Sequence, residues 1–327
     1  MTTTKAHLFH LTLLTLAGVL LFCAPAYTYE TDEERYQVSI NGQAAAIFST
    51  YREALYFSYP YEDVAIFDTL TDKWVYHNPL KFQLLSDSNA SKANFYEFKS
   101  AMTAAKASTS KIRHLPTGQI IWTPHASETI VPFTINHILQ FPELPRGCSV
   151  VSLAMLLDHA GISVDKMTLM SEIHQQNTPH HLIGDEVHFA DPYYGFVGDV
   201  STFSEPGLGV YYPAVLELLQ SYLPTQALNL TGTPFEDLTY LLDSGVPLWV
   251  MVNAKYDTLP ESDYLTWMVH DSPIQITKWM HAVLVIGHDD DFVYLADPLA
   301  KREKVDKQGF INAFDQMGRQ ALSYVRL

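Results

Sequence analysis

The stretch QFPELPRGCSVVSLAMLLDHAGI, Gln140 to Ile162, sets a cysteine behind a proline, an arginine and a glycine at the mouth of an apolar run. The run predicts a compact helix over Val150 to Leu157, broken at Gly161. A thiol in the first turn of such a helix feels the partial positive charge of backbone N–H groups that have no intrahelical acceptor. That field favours the thiolate, the form that attacks a carbonyl carbon. Gly147 lets the chain come close before the helix begins, and Pro145 stiffens the approach. Cys148 is therefore a candidate nucleophile. A helix that merely begins with a small residue would read the same way, so the case needs a base from elsewhere in the chain.

The cysteine count sharpens the question. The chain carries only two, Cys23 and Cys148. Lys5 is followed by the apolar run LTLLTLAGVLLFCA, Leu11 to Ala24, and then by Ala24-Pro25-Ala26, a small-x-small pattern before Tyr27. Residues 1–26 read as a secretory signal peptide with an n-region weak in positive charge; an uncleaved membrane anchor is the alternative. A lipoprotein signal at Cys23 is a poorer fit, because Phe22 stands where a small residue is wanted. Cleavage would remove Cys23 and leave Cys148 as the single thiol of an exported protein, either a buried small hydrophobe or a reactive group.

Removing Lys5 with that segment would move the net charge from −16 to −17. So acidic a chain is repelled by phosphates, and no basic stripe with interleaved aromatics offsets this, so nucleic acid is not an expected partner. At 327 residues, with 47% hydrophobic and 17% charged residues, the chain is long and apolar enough for two folded domains.

The base is sought in HAVLVIGHDDDFVYLADP, His281 to Pro298. His281 to Ile286 and Phe292 to Ala296 read as strands around the turn GHDDD. A hairpin folded about residue 289 sets His281 opposite Asp297, Val283 opposite Leu295 and Val285 opposite Val293. A carboxylate beside an imidazole holds it in one tautomer as a general base. Of the other histidines, His288 falls in the turn and is expected to be solvated. His180-His181 lie in a loop without a ligand-spaced partner, and His270-Asp271 is the weaker alternative to His281. No HExxH, CxxC or paired-histidine spacing points to zinc, Asp289 to Asp291 lacks the remaining ligands of a calcium loop, and no cofactor is required. Acyl transfer also needs donors for an oxyanion. The Cys148 backbone N–H is one, and Gln140, eight residues upstream across a Pro-punctuated loop, is a candidate second.

The N-terminal half has a different texture. Ile47 to Asn78 resembles Glu97 to His125, with Phe48 matched to Phe98, Ala54 to Ala104, and the turns Thr71-Asp72-Lys73 and Thr117-Gly118-Gln119 each leading into an aromatic-bearing strand. Each copy reads as a lead-in, a short helix and two strands, so residues 27–135 form a duplicated small α/β module. Ser86 to Asn94 is the expected polar spacer between copies. Trp74, Tyr76 and Trp122 suit cross-strand packing better than a ligand-stacking surface. The boundary is expected near residues 126–136. Beyond it come helices at Val164–Ile173 and Tyr212–Leu223, an ordered loop over Asp191 to Tyr212, and later strands at Val246–Ala254, Met280–His288 and Asp291–Pro298. Helices first and strands later indicate an α+β domain with an antiparallel sheet over residues 136–327.

Taken together, Gln140 to Leu169, the loop PYYGFVGD…GLGVYYP and His281 to Pro298 resemble the C39-like papain-fold cysteine peptidases of bacteria. The resemblance covers about residues 134–327. It implies a papain-like domain in which Cys148 is the nucleophile, His281 the base, Asp297 its orienter and Gln140 an oxyanion-hole donor. The family often carries Glu directly after the cysteine, where this chain has Ser149. Family members fused to peptide exporters cut leader peptides. No transporter helices or nucleotide-binding loop are found in this sequence, so that role is not carried over. The expectation is a secreted or envelope-associated peptidase or amidase acting on a peptide or protein substrate. An acyl transferase using the same triad and a non-catalytic envelope protein that binds peptide or glycan are the rivals.

Overall fold

The computed structural model describes residues 34–124, 132–269, 272–300 and 303–327. The expected signal peptide, the start of the expected domain boundary and His270-Asp271 lie outside the described residues. No described helix is long and apolar enough to cross a membrane.

Residues 34–77 form β1 (Tyr36–Ile40), β2 (Gln43–Phe48), α1 (Tyr51–Ser58), β3 (Val64–Asp68) and β4 (Lys73–His77). The β1–β2 turn is Asn41-Gly42, with φ of 51° and 72°, the left-handed pair that a tight hairpin requires. Thr50 starts α1 by a capping box: its hydroxyl accepts from the Glu53 N–H, and the Glu53 carboxylate accepts from the Thr50 N–H. The next segment repeats the plan with β5 (Phe82–Leu85), β6 (Ser91–Phe95), α2 (Phe98–Ser108), β7 (Lys111–His114) and β8 (Ile120–Trp122). The sheet orders are β2-β1-β3-β4 and β6-β5-β7-β8, antiparallel throughout, with the helix at the same point of each.

Two expectations for this half change. Phe95, the last residue of β6, is the counterpart of Phe48, the last residue of β2; the fully buried counterpart of Ala54 is Ala101, three residues before Ala104. Ser86 to Asn94 is the β5–β6 turn and most of β6, not a spacer. It is polar because β6 is an edge strand facing solvent. Trp74 is 61% exposed and lies in cross-strand register with Phe67, ring centroids 5.1 Å apart, whereas Trp122 packs against the main core. The three aromatics do not share one surface.

The remainder begins with α3 (Cys148–His159), α4 (Lys166–Glu172), β9 (Gln175–Gln176), β10 (His181–Ile183), β11 (Glu186–His188), β12 (Phe196–Gly198) and β13 (Gly207–Gly209). It continues through α5 (Tyr212–Tyr222), β14 (Ala227–Asn229), α6 (Phe235–Asp243), β15 (Leu248–Asn253), β16 (Tyr264–Val269) and β17 (Ser272–Thr277). It closes with β18 (Met280–His288), β19 (Phe292–Ala296), β20 (Lys304–Asp306), α7 (Lys307–Gln316) and β21 (Ala321–Tyr324). The main sheet runs β14-β21-β15-β18-β19-β20, every pair antiparallel. Every residue of β15 is buried, as its continuous apolar run requires of a central strand. Helix α3 is apolar on all sides, and every residue from Cys148 to Leu157 is buried, so it runs through the core instead of lying on the surface. The Trp249 indole N–H donates to the Ser149 carbonyl at 2.9 Å and the Ser152 hydroxyl to the Ala282 carbonyl at 3.1 Å, fixing the helix against β15 and β18.

The second module shares this core: Phe82, Phe98, Met102 and Ile112 are contiguous with α3, α5 and α6. The first module keeps a small core of its own, Val38, Ala54, Val64 and Ile66. It is joined to α5 by Arg52, 3.0 Å from Glu217, and by the Tyr56 hydroxyl, which donates to the same carboxylate.

The hairpin register also differs from expectation. Val285 pairs with Leu295 and Leu284 with Ala296, and a bulge at Ile286 precedes Gly287 opposite Tyr294. Asp297 therefore lies beyond the last ladder pair instead of opposite His281. The slip is two residues on the side of the bulge that carries His281, and an even slip leaves side chains on the same face, so the two groups still meet diagonally.

Candidate active site

Gly147 is the N-cap of α3 and Cys148 its first residue. A Cβ on Gly147 would lie 2.5 Å from the Leu144 Cβ and 3.1 Å from the Leu144 carbonyl oxygen, so the turn into the helix tolerates no side chain there. The turn is closed by the Gly147 N–H on the Leu144 carbonyl at 2.8 Å and the Leu144 N–H on the Gln140 carbonyl at 2.9 Å. Arg146 spans the other side. Its guanidinium donates to the carbonyls of Asp199, Thr202 and Glu205 and lies 5.2 Å from the centroid of Phe203. The basic residue before the glycine thus ties the 199–207 loop to the start of α3.

His281 sits on β18, with Nε2 2.7 Å from the Asp297 Oδ1, and both side chains are almost wholly buried. Its other ring nitrogen is left for the thiol: Cys148 and His281 line the same cleft and act on each other's protonation. Asp297 is held from three sides: by His281, by the Tyr256 hydroxyl at 3.1 Å on Oδ2, and by the Leu299 N–H at 2.8 Å on Oδ1. Its backbone is anchored as well, with the carbonyl 2.8 Å from the His137 Nε2.

These contacts set the protonation states. Burial pushes the Cys148 thiol up, but His281, the Ala282 N–H and the Ser149 hydroxyl together bring it below its ordinary value. Burial pushes His281 down, but Asp297 and Cys148 lift it to about 9. Burial raises Asp297, and His281, the Leu299 N–H and Tyr256 outweigh it, leaving the carboxyl below its usual range. The contacts shift the three groups toward thiolate, imidazolium and carboxylate.

Gln140 is buried at 2% exposure beside them. Its side-chain amide donates to the Pro145 carbonyl, and its backbone N–H donates to the Pro298 carbonyl at 3.0 Å. The four residues singled out in the sequence are therefore brought together: Gln140, Cys148 and His281 line one cleft of about 570 Å³, and Asp297 stands behind His281. Apolar side chains dominate the walls, among them Phe141, Phe203, Leu208, Trp267 and Ile276, with Arg146 and Lys278 as the charges. Trp267 and Ile276 come from the β16–β17 hairpin, and no described residue before Gln140 reaches the cleft.

His288 is not solvated, as the turn reading had it: β18 extends through it, and it is buried with its Nε2 2.9 Å from the Asp243 Oδ1 of α6. The 191–212 loop also holds more order than expected, with β12 and β13 paired inside it. Tyr256, the β16–β17 hairpin and the Arg146 clamp are further parts of the site. Of these, only Arg146 carries a local sequence mark, its place two residues before the thiol. Among the described residues no three His, Cys, Asp or Glu side chains are grouped as a metal site.

Comparison with known proteins agrees with the geometry. A chain named a C39-like peptidase from Bacillus anthracis, known from its crystal structure, superposes with a TM-score of 0.55 at 39% identity, covering 61% of this chain and 98% of that one. The uncharacterized protein YvpB of Bacillus subtilis (strain 168) is 38% identical over 182 residues, 55% of this chain and 70% of its own length. The sequence pattern of the Peptidase_C39 like family matches residues 132–322, a span that holds Gln140, Cys148, His281 and Asp297, and the chain belongs to that family.

Proposed function

We propose that the chain is a papain-like cysteine peptidase or amidase that works through Cys148, His281, Asp297 and Gln140. The reading rests on one observation: a buried carboxylate is hydrogen-bonded to an imidazole that shares the wall of an apolar cleft with a thiol at a helix start. The Cys148 thiolate attacks the carbonyl carbon of a bound amide, and the carbonyl electron pair moves to oxygen. The Cys148 backbone N–H and the Gln140 amide, whose plane the Pro145 carbonyl fixes, donate to that oxyanion. As the intermediate collapses, the His281 imidazolium gives its proton to the leaving nitrogen, the C–N bond breaks, and a thioester remains on Cys148. His281, now neutral, takes a proton from water as it adds to the thioester, and the carboxylic acid leaves as the thiol is restored.

The same intermediate serves a transferase if an amine replaces water in the second half. The cleft is open to an acceptor, so the two activities are separated by product analysis. Mass spectrometry of a peptide digest, with and without added glycinamide and with Cys148→Ala as the blank, should show free carboxyl products in both cases. Amide-capped products dominating when amine is present would make the chain a transferase, and no Cys148-dependent product would end the enzymatic reading. We further propose that the protein acts after export, in the cell envelope or outside it, on peptide or protein substrates. The matching strand order of the two N-terminal sheets supports reading residues 34–122 as a tandem of one module.

A further inference from the structure

A second cavity, of about 150 Å³, lies where the first module, the second module and helix α5 meet, and it shares no lining residue with the cleft of Cys148. A single water needs only about 10–15 Å³ on this measure, so the space suits a molecule of several heavy atoms. Its lining brings together groups of opposite charge, Lys81 and Lys99 with Glu97, one cation more than the carboxylate can match. Lys81, from the link between the modules, and Glu97, the N-cap residue of α2, both border it. No ion pair joins Lys81 to Glu97 among the described residues, and the Glu97 side chain does not cap α2, where Thr50 and Glu53 do cap α1. Glu97 makes one long ion pair, with the half-exposed Lys99 that also borders the cavity, Nζ standing 4.0 Å from Oε2.

The hydroxyl of Tyr59 is the second observation. It is buried, borders the same cavity, and meets no hydrogen-bonding group of the protein. A buried hydroxyl without a partner is destabilising, and a ligand that supplies one removes that penalty. Burial holds the Glu97 carboxyl up at about 7, against the pull of Lys99 and Lys81 and with Glu62 adding to it, and burial draws Lys81 below its ordinary value although Glu97 opposes this. Both groups are short of solvent, and both gain from a ligand of opposite charge. The rest of the wall mixes aromatic groups, Phe82 and Tyr212 among them, with the polar Asn78, Asn229 and Thr231.

We infer that this junction cavity binds a small zwitterion, one molecule carrying a carboxylate for Lys81 and an ammonium group for Glu97, with a hydrogen bond to the Tyr59 hydroxyl. A free amino acid with a small side chain is the simplest member of that class. Such a ligand touches both modules and α5 at once, and binding the folded form alone stabilises the whole described chain.

Isothermal titration of the full-length protein with glycine and L-alanine tests this, with acetate and methylammonium as the two half-ligands and the melting temperature followed in parallel. Saturable binding of glycine or alanine is expected, with a rise in melting temperature and at least tenfold weaker binding of either half. Lys81→Met and Glu97→Gln should each weaken binding tenfold or more. Tyr59→Phe, which keeps the ring and removes only the oxygen, should weaken it severalfold and covers the case in which the charge variants fold poorly. No binding of either amino acid, acetate binding as tightly as glycine, or binding unchanged in Tyr59→Phe and in whichever charge variant folds would each overturn the assignment. Cleft activity is not the readout, so the outcome is independent of the peptidase proposal.

Discussion

Strand β18 carries two buried histidine–carboxylate pairs seven residues apart, and only one belongs to the cleft. His281 meets Asp297 at 2.7 Å, and His288 meets Asp243 at 2.9 Å, both with almost no exposure. By distance and burial alone the two are near equals. What separates them is the far side of the imidazole. His281 faces a thiol at a helix start and a 570 Å³ cleft, whereas His288 ties β18 to α6 and lines no part of that cleft. A histidine–aspartate pair is therefore an orienting device that serves packing as readily as chemistry, and the nucleophile and the space before it decide which.

Substitution at the two histidines gives the largest expected contrast. His281→Ala and Cys148→Ala should reduce turnover by on the order of 10⁴-fold or more, since each removes a group that changes its bonds during the reaction. His288→Ala should leave kcat within severalfold of wild type while lowering stability by about 1–3 kcal/mol, because Asp243 loses a buried partner. Rate measurements and urea melts on the same preparations separate the effects. Comparable loss of turnover in a folded His288→Ala would show that the second pair also feeds the site.

Alkylation tests the electrostatic half of the contrast. With its pKa held below the ordinary thiol value, Cys148 should react with iodoacetamide well below pH 8.5, the ordinary midpoint being about that. In His281→Ala the burial remains and the imidazolium is gone, so labelling at pH 7 should fall at least about tenfold. The sign at the alkaline end follows from the raised histidine. Stability from the His281 proton is whole below the unfolded value of 6.5 and is lost as pH rises through about 9, and proton donation to a leaving amine fades over the same range. Turnover against pH should therefore decline above about pH 9. A profile that rises steadily to pH 10 would show that His281 does not enter the reaction as imidazolium.

The two carboxylates should differ by less. Asp297→Asn can still accept from the ring N–H and should keep a substantial part of turnover, whereas Asp297→Ala should lose about 10²-fold. Asp243→Asn should change turnover little and stability more. Equal turnover in Asp297→Ala and wild type would remove Asp297 from the site.

The cleft was legible in the sequence for a physical reason. Gln140, Cys148, His281 and Asp297 are each marked by neighbours that constrain the backbone: a Pro-punctuated loop, Gly147, and the two ends of an apolar hairpin. The hairpin register is two residues off the one that symmetry about residue 289 gives, because the turn is centred between residues 290 and 291, which shifts the pairing by three, and the Ile286 bulge takes one back. The inference survived since an even slip does not change faces. His288 was placed wrongly for the same reason: the longer strand carries it out of the turn and into the core. Helices α6 and α7 left marks too, the Phe235, Leu238, Leu241 and Leu242 spacing of one and the Asp306 cap of the other. The hairpin β16–β17 did not, because its alternation is mixed and its apolar residues serve the cleft wall as much as the core. Continuity of the second module with the main core depends on which residues meet between α2, β8 and α6, and no local pattern encodes that.

Tyr256 sets the smallest contrast and the finest test. One tyrosine among 19, it lies in the turn after β15 at a φ of 55°, with its N–H on the Asn253 carbonyl at 3.0 Å. A bulky residue in that left-handed conformation is uncommon and persists where surrounding contacts hold it. Here Gly309 packs so closely against the Tyr256 carbonyl that a Cβ would come within 2.6 Å of it, and the hydroxyl reaches Asp297. It touches Asp297 and lines no part of the cleft, so the role to test is positioning. Tyr256→Phe removes one of three donors to a buried carboxylate and keeps the ring, a loss of about 1–2 kcal/mol in carboxylate stabilisation. The expected result is a fall of roughly fivefold to thirtyfold in kcat with KM little changed, less than for Asp297→Ala. A purely structural role predicts lower stability and an unchanged pH profile. A positioning role predicts that the alkaline limb moves to lower pH, because a carboxylate with one donor fewer is less well placed beside His281 and holds its imidazolium less firmly. An unmoved alkaline limb in a folded Tyr256→Phe would leave the His281 N–H and the Leu299 N–H as sufficient supports for Asp297.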